Sequence, residues 1–180
     1  DIMLGIKYLW QTAVKAEKPL IICFGIGTNI GGHERGGCLG EYLESRGNYS
    51  GVCAVAACGN EANAGHHYRS GLLRSGQDVE VELRTGSDDG FTIELWGDAP
   101  NLYAIGIISP SGEYSGKTTA KLGEQHRIRF VLEKTVVDID YLITAYESGD
   151  ECVRLRFSSV EPGLWKIRVF NDNRGDGFFD

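Results

Sequence analysis

A chain of 180 residues can bury one ample core or two small ones, and its 42% hydrophobic and 24% charged residues are those of an ordinary soluble globular protein. A formal net charge of -7 and a pI near 5.1 argue against a nucleic-acid partner, which needs a basic face. No apolar run reaches the ~18 residues of a membrane-spanning helix, no charged-then-apolar leader opens the chain, and the cysteines are odd in number without a CxxC pair, which excludes a disulfide framework.

The first predicted element is a helix from Ile2 to Ala16. Ile2, Ile6, Leu9 and Ala13, joined by Met3, Trp10 and Val14, recur at helical spacing and predict one broad buried stripe, which Pro19 stops. Lys18 to Phe24 then reads as an apolar strand that runs out into Gly25-Ile26-Gly27-Thr28-Asn29. Leu39, Tyr42 and Leu43 fall at the i, i+3, i+4 spacing of a helix over Gly37 to Ser45. Next comes a short apolar run bounded by Gly51 and Gly59, which predicts a strand buried on both faces, the kind a parallel sheet needs, with Cys53 and Cys58 as packed, reduced thiols. The two strands and the helix between them form a β-α-β unit, since parallel strands require a crossover. Asn60 stands at the carboxyl end of the second strand. Ligands of open α/β sheets bind at that edge, and a neutral side-chain donor there can meet a substrate carbonyl.

After Gly71 the period changes from helical to alternating. Val79-Val81-Leu83, Phe91-Ile93-Leu95, Tyr103-Ile105-Ile107, Ile128-Phe130-Leu132, Val153-Leu155-Phe157 and Trp165-Ile167-Val169 each alternate with period two. Turn residues at 86–90, 109–112, 148–150 and 161–163 separate them. Seven or more antiparallel strands at this spacing predict a β-sandwich or jelly roll. Asp88-Asp89-Gly90 lacks the further oxygen ligands of a calcium loop and reads as a hairpin turn. The adjacent His66 and His67 have no acidic or thiol partner at metal spacing and read as loop residues, as does His33 beside Glu34, so no metal site is expected.

Ala56-Ala57-Cys58-Gly59-Asn60 resembles the strand end Ala-Ala-Gly-Asn that carries the oxyanion-hole asparagine of subtilisin-family serine peptidases. Gly25-Ile26-Gly27 resembles the same family's Ser-Leu-Gly substrate-binding strand, with Gly25 where Ser is usual and Cys58 where Ala is. The wider wording, Gly27-Thr28-Asn29, Gly32-His33 and Gly59-Asn60-Glu61-Ala62-Asn63 with His66-His67, looks most like the clostridial Csp-type germination proteases, and Pro162-Gly163-Leu164-Trp165-Lys166-Ile167 resembles the last strand of subtilase-associated jelly rolls. The family's Asp-Ser-Gly, His-Gly-Thr-His and Gly-Thr-Ser-Met motifs are absent, so the chain, which opens Asp1-Ile2, reads as an interior fragment lying after the family's histidine and before its serine.

The resemblance implies a partial subtilisin-like parallel α/β sheet over 1–71, an inserted antiparallel jelly-roll domain over 72–171, and a return linker over 172–180. It implies Asn60 as the catalytic oxyanion donor and Gly25, Ile26 and Gly27 as substrate-binding residues, in peptide hydrolysis by acyl transfer without a cofactor. A polypeptide substrate and a propeptide are the implied partners. The implied setting is soluble, spore-associated or secreted, in an anaerobic bacterium. The alternative is a jelly-roll module binding carbohydrate or protein, attached to a pseudoprotease; it expects Trp96 and Tyr103 exposed together on one sheet.

Overall fold

Helix α1 spans Ile2–Lys15 and ends as its sequence directs. The Glu17 amide donates to Val14 O at 3.1 Å and the Lys18 amide to Ala13 O at 3.1 Å, with Glu17 itself left-handed at φ 53, which is a Schellman stop followed at once by Pro19. In this computed structural model, which describes residues 1–32, 37–61, 63–86, 88–121, 124–143 and 149–180, the chain divides into two units, Asp1–His66 and His67–Asp180. Among the described residues no helix is long and apolar enough to cross a membrane.

The first unit adds β1 (Leu20–Phe24), α2 (Cys38–Gly47) and β2 (Val52–Ala56) to α1. β1 and β2 pair in parallel with Ile22 opposite Ala54. Leu39, Tyr42 and Leu43 form the half-buried face of α2, as their spacing predicts. The Arg46 guanidinium lies over the rings of Trp10 at 4.6 Å and Tyr42 at 4.9 Å, tying the two helices together.

Two expectations fail in this unit. The broad buried stripe of α1 narrows to Ile6, while Ile2, Met3, Leu9 and Val14 stay 41–58% exposed. β2 is not buried on both faces either, and Cys53 and Cys58 are exposed. Successive strand residues point to opposite faces, and cover is confined to the surroundings of Ile22 on β1, since Ala54 opposite it is exposed; Ile21 and Val55, at 69% and 52% exposed, mark the other face.

The second unit consists of β3 (Asp78–Thr85), β4 (Asp88–Gly97), β5 (Tyr103–Ile108), β6 (Tyr114–Thr118), β7 (Gln125–Arg129), β8 (Val136–Leu142), β9 (Glu151–Val160) and β10 (Gly163–Asn171). They form two antiparallel sheets, ordered β3-β10-β5-β6 and β4-β9-β8-β7. Both sheets feed one core. Tyr103, Ile105, Ile107, Trp165 and Val169 come from the first, and Leu95, Val137, Ile139, Val153 and Leu155 from the second. β3 pairs with β10 in one sheet and β4 with β9 in the other, whereas β6 returns on β5 and β7 on β8 as local hairpins.

Several finer expectations change here. Asp88 and Gly90 are no hairpin turn but the start of β4, opposite Val160 and Ser158. β7 ends at Arg129; Phe130 is buried, but Leu132 is 71% exposed because the chain is already turning there. Tyr103 is fully buried and Trp96 half-buried, so the paired aromatic face of a lectin-like module is not formed. Cross-strand ion pairs occupy the outer faces instead: Lys166–Glu80 at 3.0 Å and Arg168–Asp78 at 2.6 Å on one sheet, Arg154–Glu94 at 2.9 Å and Arg156–Asp140 at 2.6 Å on the other.

Residues 172–180 pack on this unit. Leu73 and Gly177 exchange amide hydrogen bonds at 2.8 and 3.1 Å, Ser70 N–H donates to Phe179 O at 2.9 Å, and Trp96 and Asp180 exchange two more at 2.9 Å. The buried Asn171 carboxamide donates to Leu73 O at 2.9 Å and Gly175 O at 3.0 Å, closing the same end. Residues 67–180 expressed alone should therefore melt cooperatively with the near-ultraviolet signal of buried Trp. The shorter span 72–171 loses the 4%-exposed Phe179 and its partners. It should be less stable by about 3 kcal/mol or more, judged from Phe truncations, a drop readable in thermal and urea melts.

Candidate functional site

The carboxyl edge of the β1–β2 pair carries every residue the sequence marks for chemistry. Gly25, Ile26 and Gly27 leave the end of β1, and residues 57–60 leave the end of β2 beside it. The Ala57 amide donates to Phe24 O at 3.0 Å, so the two outgoing segments stay hydrogen-bonded one residue beyond the strands. Gly59 then takes φ 90, a left-handed turn that glycine adopts without strain, and Asn60 follows, exposed.

Gly25 to Gly27 are exposed as well, and a Cβ added at Gly25 or Gly27 would meet nothing within 4 Å. An extended peptide can approach that main chain closely. The Ile30 amide is taken by the Thr28 hydroxyl at 3.1 Å, turning the chain away after Gly27.

Downstream of Asn60, Glu61 closes a tight loop. Its carbonyl accepts the Ala64 amide at 2.6 Å and its carboxylate meets His66 Nδ1 at 2.5 Å. His67 Nε2 lies 3.9 Å from Asp180 Oδ1, and Arg69 Nε forms an ion pair with the same oxygen at 3.6 Å. Each histidine thus has one acidic neighbour, the first from a residue five positions away and the second from the far end of the chain. Among the described residues no three His, Cys, Asp or Glu side chains gather as a metal site. His33 and Glu34 lie outside the described residues. Glu61 was not singled out from the sequence; its place directly after Gly59-Asn60 and five residues before His66 was the available signal.

No protein-family model matches the chain, and no curated protein matches it. Among solved structures it is similar to the Clostridium perfringens CspB protease, with a TM-score of 0.86 at 21% identity over 99% of this chain. At that identity the likeness shows the fold. The chain spans 38% of the length of that protein.

The thiols give a direct check on the site's openness. Cys23, Cys38, Cys53 and Cys58 are exposed, while Cys152 is buried and its thiol is pushed up to about 12, first by desolvation and then by the Glu94 carboxylate. In the native chain a thiol reagent should titrate four cysteines quickly and the fifth only on unfolding. Mass mapping of the modified sites would show whether Cys53 and Cys58 are among the fast ones.

Proposed function

We propose that this chain is part of a subtilisin-like serine endopeptidase, to which it contributes the oxyanion donor Asn60 and the substrate-binding stretch Gly25-Ile26-Gly27. The observation that carries the reading is the convergence of these segments on one carboxyl edge, held together by the Ala57 to Phe24 hydrogen bond. The shared fold supports it.

In this reading the reaction is acyl transfer. A serine hydroxyl from elsewhere in the protein attacks the scissile carbonyl carbon, a histidine takes its proton, and the Asn60 side-chain amide donates to the oxyanion that forms. Collapse of the tetrahedral species breaks the C–N bond, and the histidine returns the proton to the departing amine. Water then hydrolyses the acyl-enzyme by the same steps. The main chain at Gly25, Ile26 and Gly27 pairs with the extended substrate and leaves pockets on alternate sides for its side chains.

Residues 72–171 act as an inserted accessory domain with partial jelly-roll pairing, and 172–180 returns the chain. The incoming segment 70–73 runs antiparallel to the outgoing 177–179, which is how an insert leaves a host without spreading it. Exposed thiols suit the reducing setting of an anaerobic bacterium, and a spore-associated or secreted location and a propeptide belong to the same proposal.

Asn60→Ala in the active parent protein tests this directly. A preorganised donor strengthens as charge develops on the oxygen, so its loss should lower kcat on the order of 10²–10³-fold with little change in KM. That magnitude is the one established for this donor in the subtilisin family. Near-normal kcat would make Asn60 a turn residue. The 180-residue chain alone should remain unlabelled by a serine-directed fluorophosphonate.

A further inference from the structure

One ionisable group of the β unit stands apart from its ion pairs. Glu151, the first residue of β9, is 1% exposed. Its Oε2 accepts the Tyr103 amide at 2.6 Å, while its Oε1 is buried without a hydrogen-bond partner. Gly97 lies opposite Glu151 across the β4–β9 pair. A Cβ there would stand 2.5 Å from the Tyr103 ring and 3.8 Å from Glu151 Oε2, so these three residues are packed as one set.

This set lies beneath the place where the chain enters and leaves the sandwich. The Tyr103 hydroxyl donates to Phe178 O at 3.0 Å, and its ring meets Phe179 edge-on at 5.6 Å. Phe179 bridges to Gly97, and its amide donates to the Ser70 hydroxyl at 2.8 Å. A change at the Glu151 carboxyl therefore passes through Tyr103 to both segments of the junction.

We propose that Glu151 is a proton-operated latch: neutral, it stays dry beneath the 70–73/177–180 clasp and leaves it closed; ionised, its carboxylate draws in water and loosens the clasp while the two sheets stay folded. An ionised carboxylate held in a dry site by one N–H is costly. Desolvation pushes Glu151 up to about 7, outweighing the hydrogen bond from the Tyr103 amide, which acts to lower it. Because the folded value lies above the ordinary 4.5, the stabilisation is complete below that pH and is lost as pH rises through about 7. The clasp is thus tightest in mild acid.

Burial pushes the Tyr103 and Tyr141 hydroxyls and the Cys152 thiol up to about 12, so all three stay neutral across this range. The charges on neighbouring elements are Asp98 after β4, Asp150 before β9, the Glu94–Arg154 pair between β4 and β9, and Asp180 on the edge of β4. Among the described residues none forms an ion pair with Glu151. His67 beside Asp180 and His126, edge-on to Tyr141 at 5.9 Å, are the nearby imidazoles.

The test is amide hydrogen exchange on the full chain, corrected for intrinsic rates, read at Ser70, Leu73, Gly177 and Asp180 between pH 5 and pH 8. It runs beside a carboxyl-carbon NMR titration of Glu151. The latch predicts a loss of protection on the order of 50-fold at these four amides, with core amides such as Ile105 and Val153 unchanged. It also predicts a Glu151 carboxyl titrating near 7, and loss of the pH dependence in Glu151→Gln. The idea is overturned if the carboxyl titrates at its ordinary value, if wild-type protection is constant, or if Glu151→Gln keeps the wild-type profile, which would point to the histidines. Should Glu151→Gln fail to fold, the wild-type carboxyl titration decides. Peptidase activity enters none of these readouts, so the outcome is independent of the role of Asn60.

Discussion

Trp165 joins the two sheets of the β unit through its ring. From β10 its indole stands edge-on to Phe157 of β9 at 5.6 Å and to Phe130, at the end of β7, at 5.0 Å, and its N–H is satisfied by Glu161 O at 3.1 Å. Such edge-to-face contacts add to the area they bury, and a buried indole needs the N–H partner that the 161–162 turn supplies. With the sheets fixed at that spacing, Ile105, Ile107, Val153 and Leu155 meet between them as the alternation requires. The outer faces are then free to carry ion pairs.

Alternation was legible wherever one face of a strand is buried and the other is charged. β3, β4, β9 and β10 follow that rule, and Trp165, Ile167 and Val169 do share a buried face, whereas β5 is buried on both faces and alternates large with small side chains. β8 carries the same alternation, with Asp138 and Asp140 between Val137, Ile139 and Tyr141. β6, Tyr-Ser-Gly-Lys-Thr, has almost no apolar pattern. It is an edge strand held by main-chain pairing to β5 and by the Tyr114 ring lying over Gly106, features that no periodicity carries. Sheet order, the clasp at 70–73 and 177–180, and the buried Glu151 depend on contacts 48 to 109 residues apart, beyond the reach of local pattern.

For the first unit the elements were readable and their burial was not. Apolar spacing on α1 and β2 says which face seeks cover, not whether this stretch of chain provides it; Ile6 and Ile22 are buried here while Ile21 and Val55 remain open. The candidate site was legible for a different reason. A strand end followed by Gly-Asn, and another by Gly-x-Gly, are local signals, and parallel pairing brings two such ends to one edge without needing any other contact. The Glu61–His66 pair escaped because loop closure depends on the turn between the residues.

The antiparallel pairing of residues 70–73 with 177–179 also bears on how such a unit travels between proteins. A loop costs its host entropy according to the freedom of the chain between its ends, and that cost grows with length. Here more than a hundred residues leave and return through two neighbouring strands already hydrogen-bonded to each other. Set into a surface turn of another protein, the whole sandwich would therefore count as a short hairpin loop and would disturb the recipient's folding hardly more than a few extra residues would.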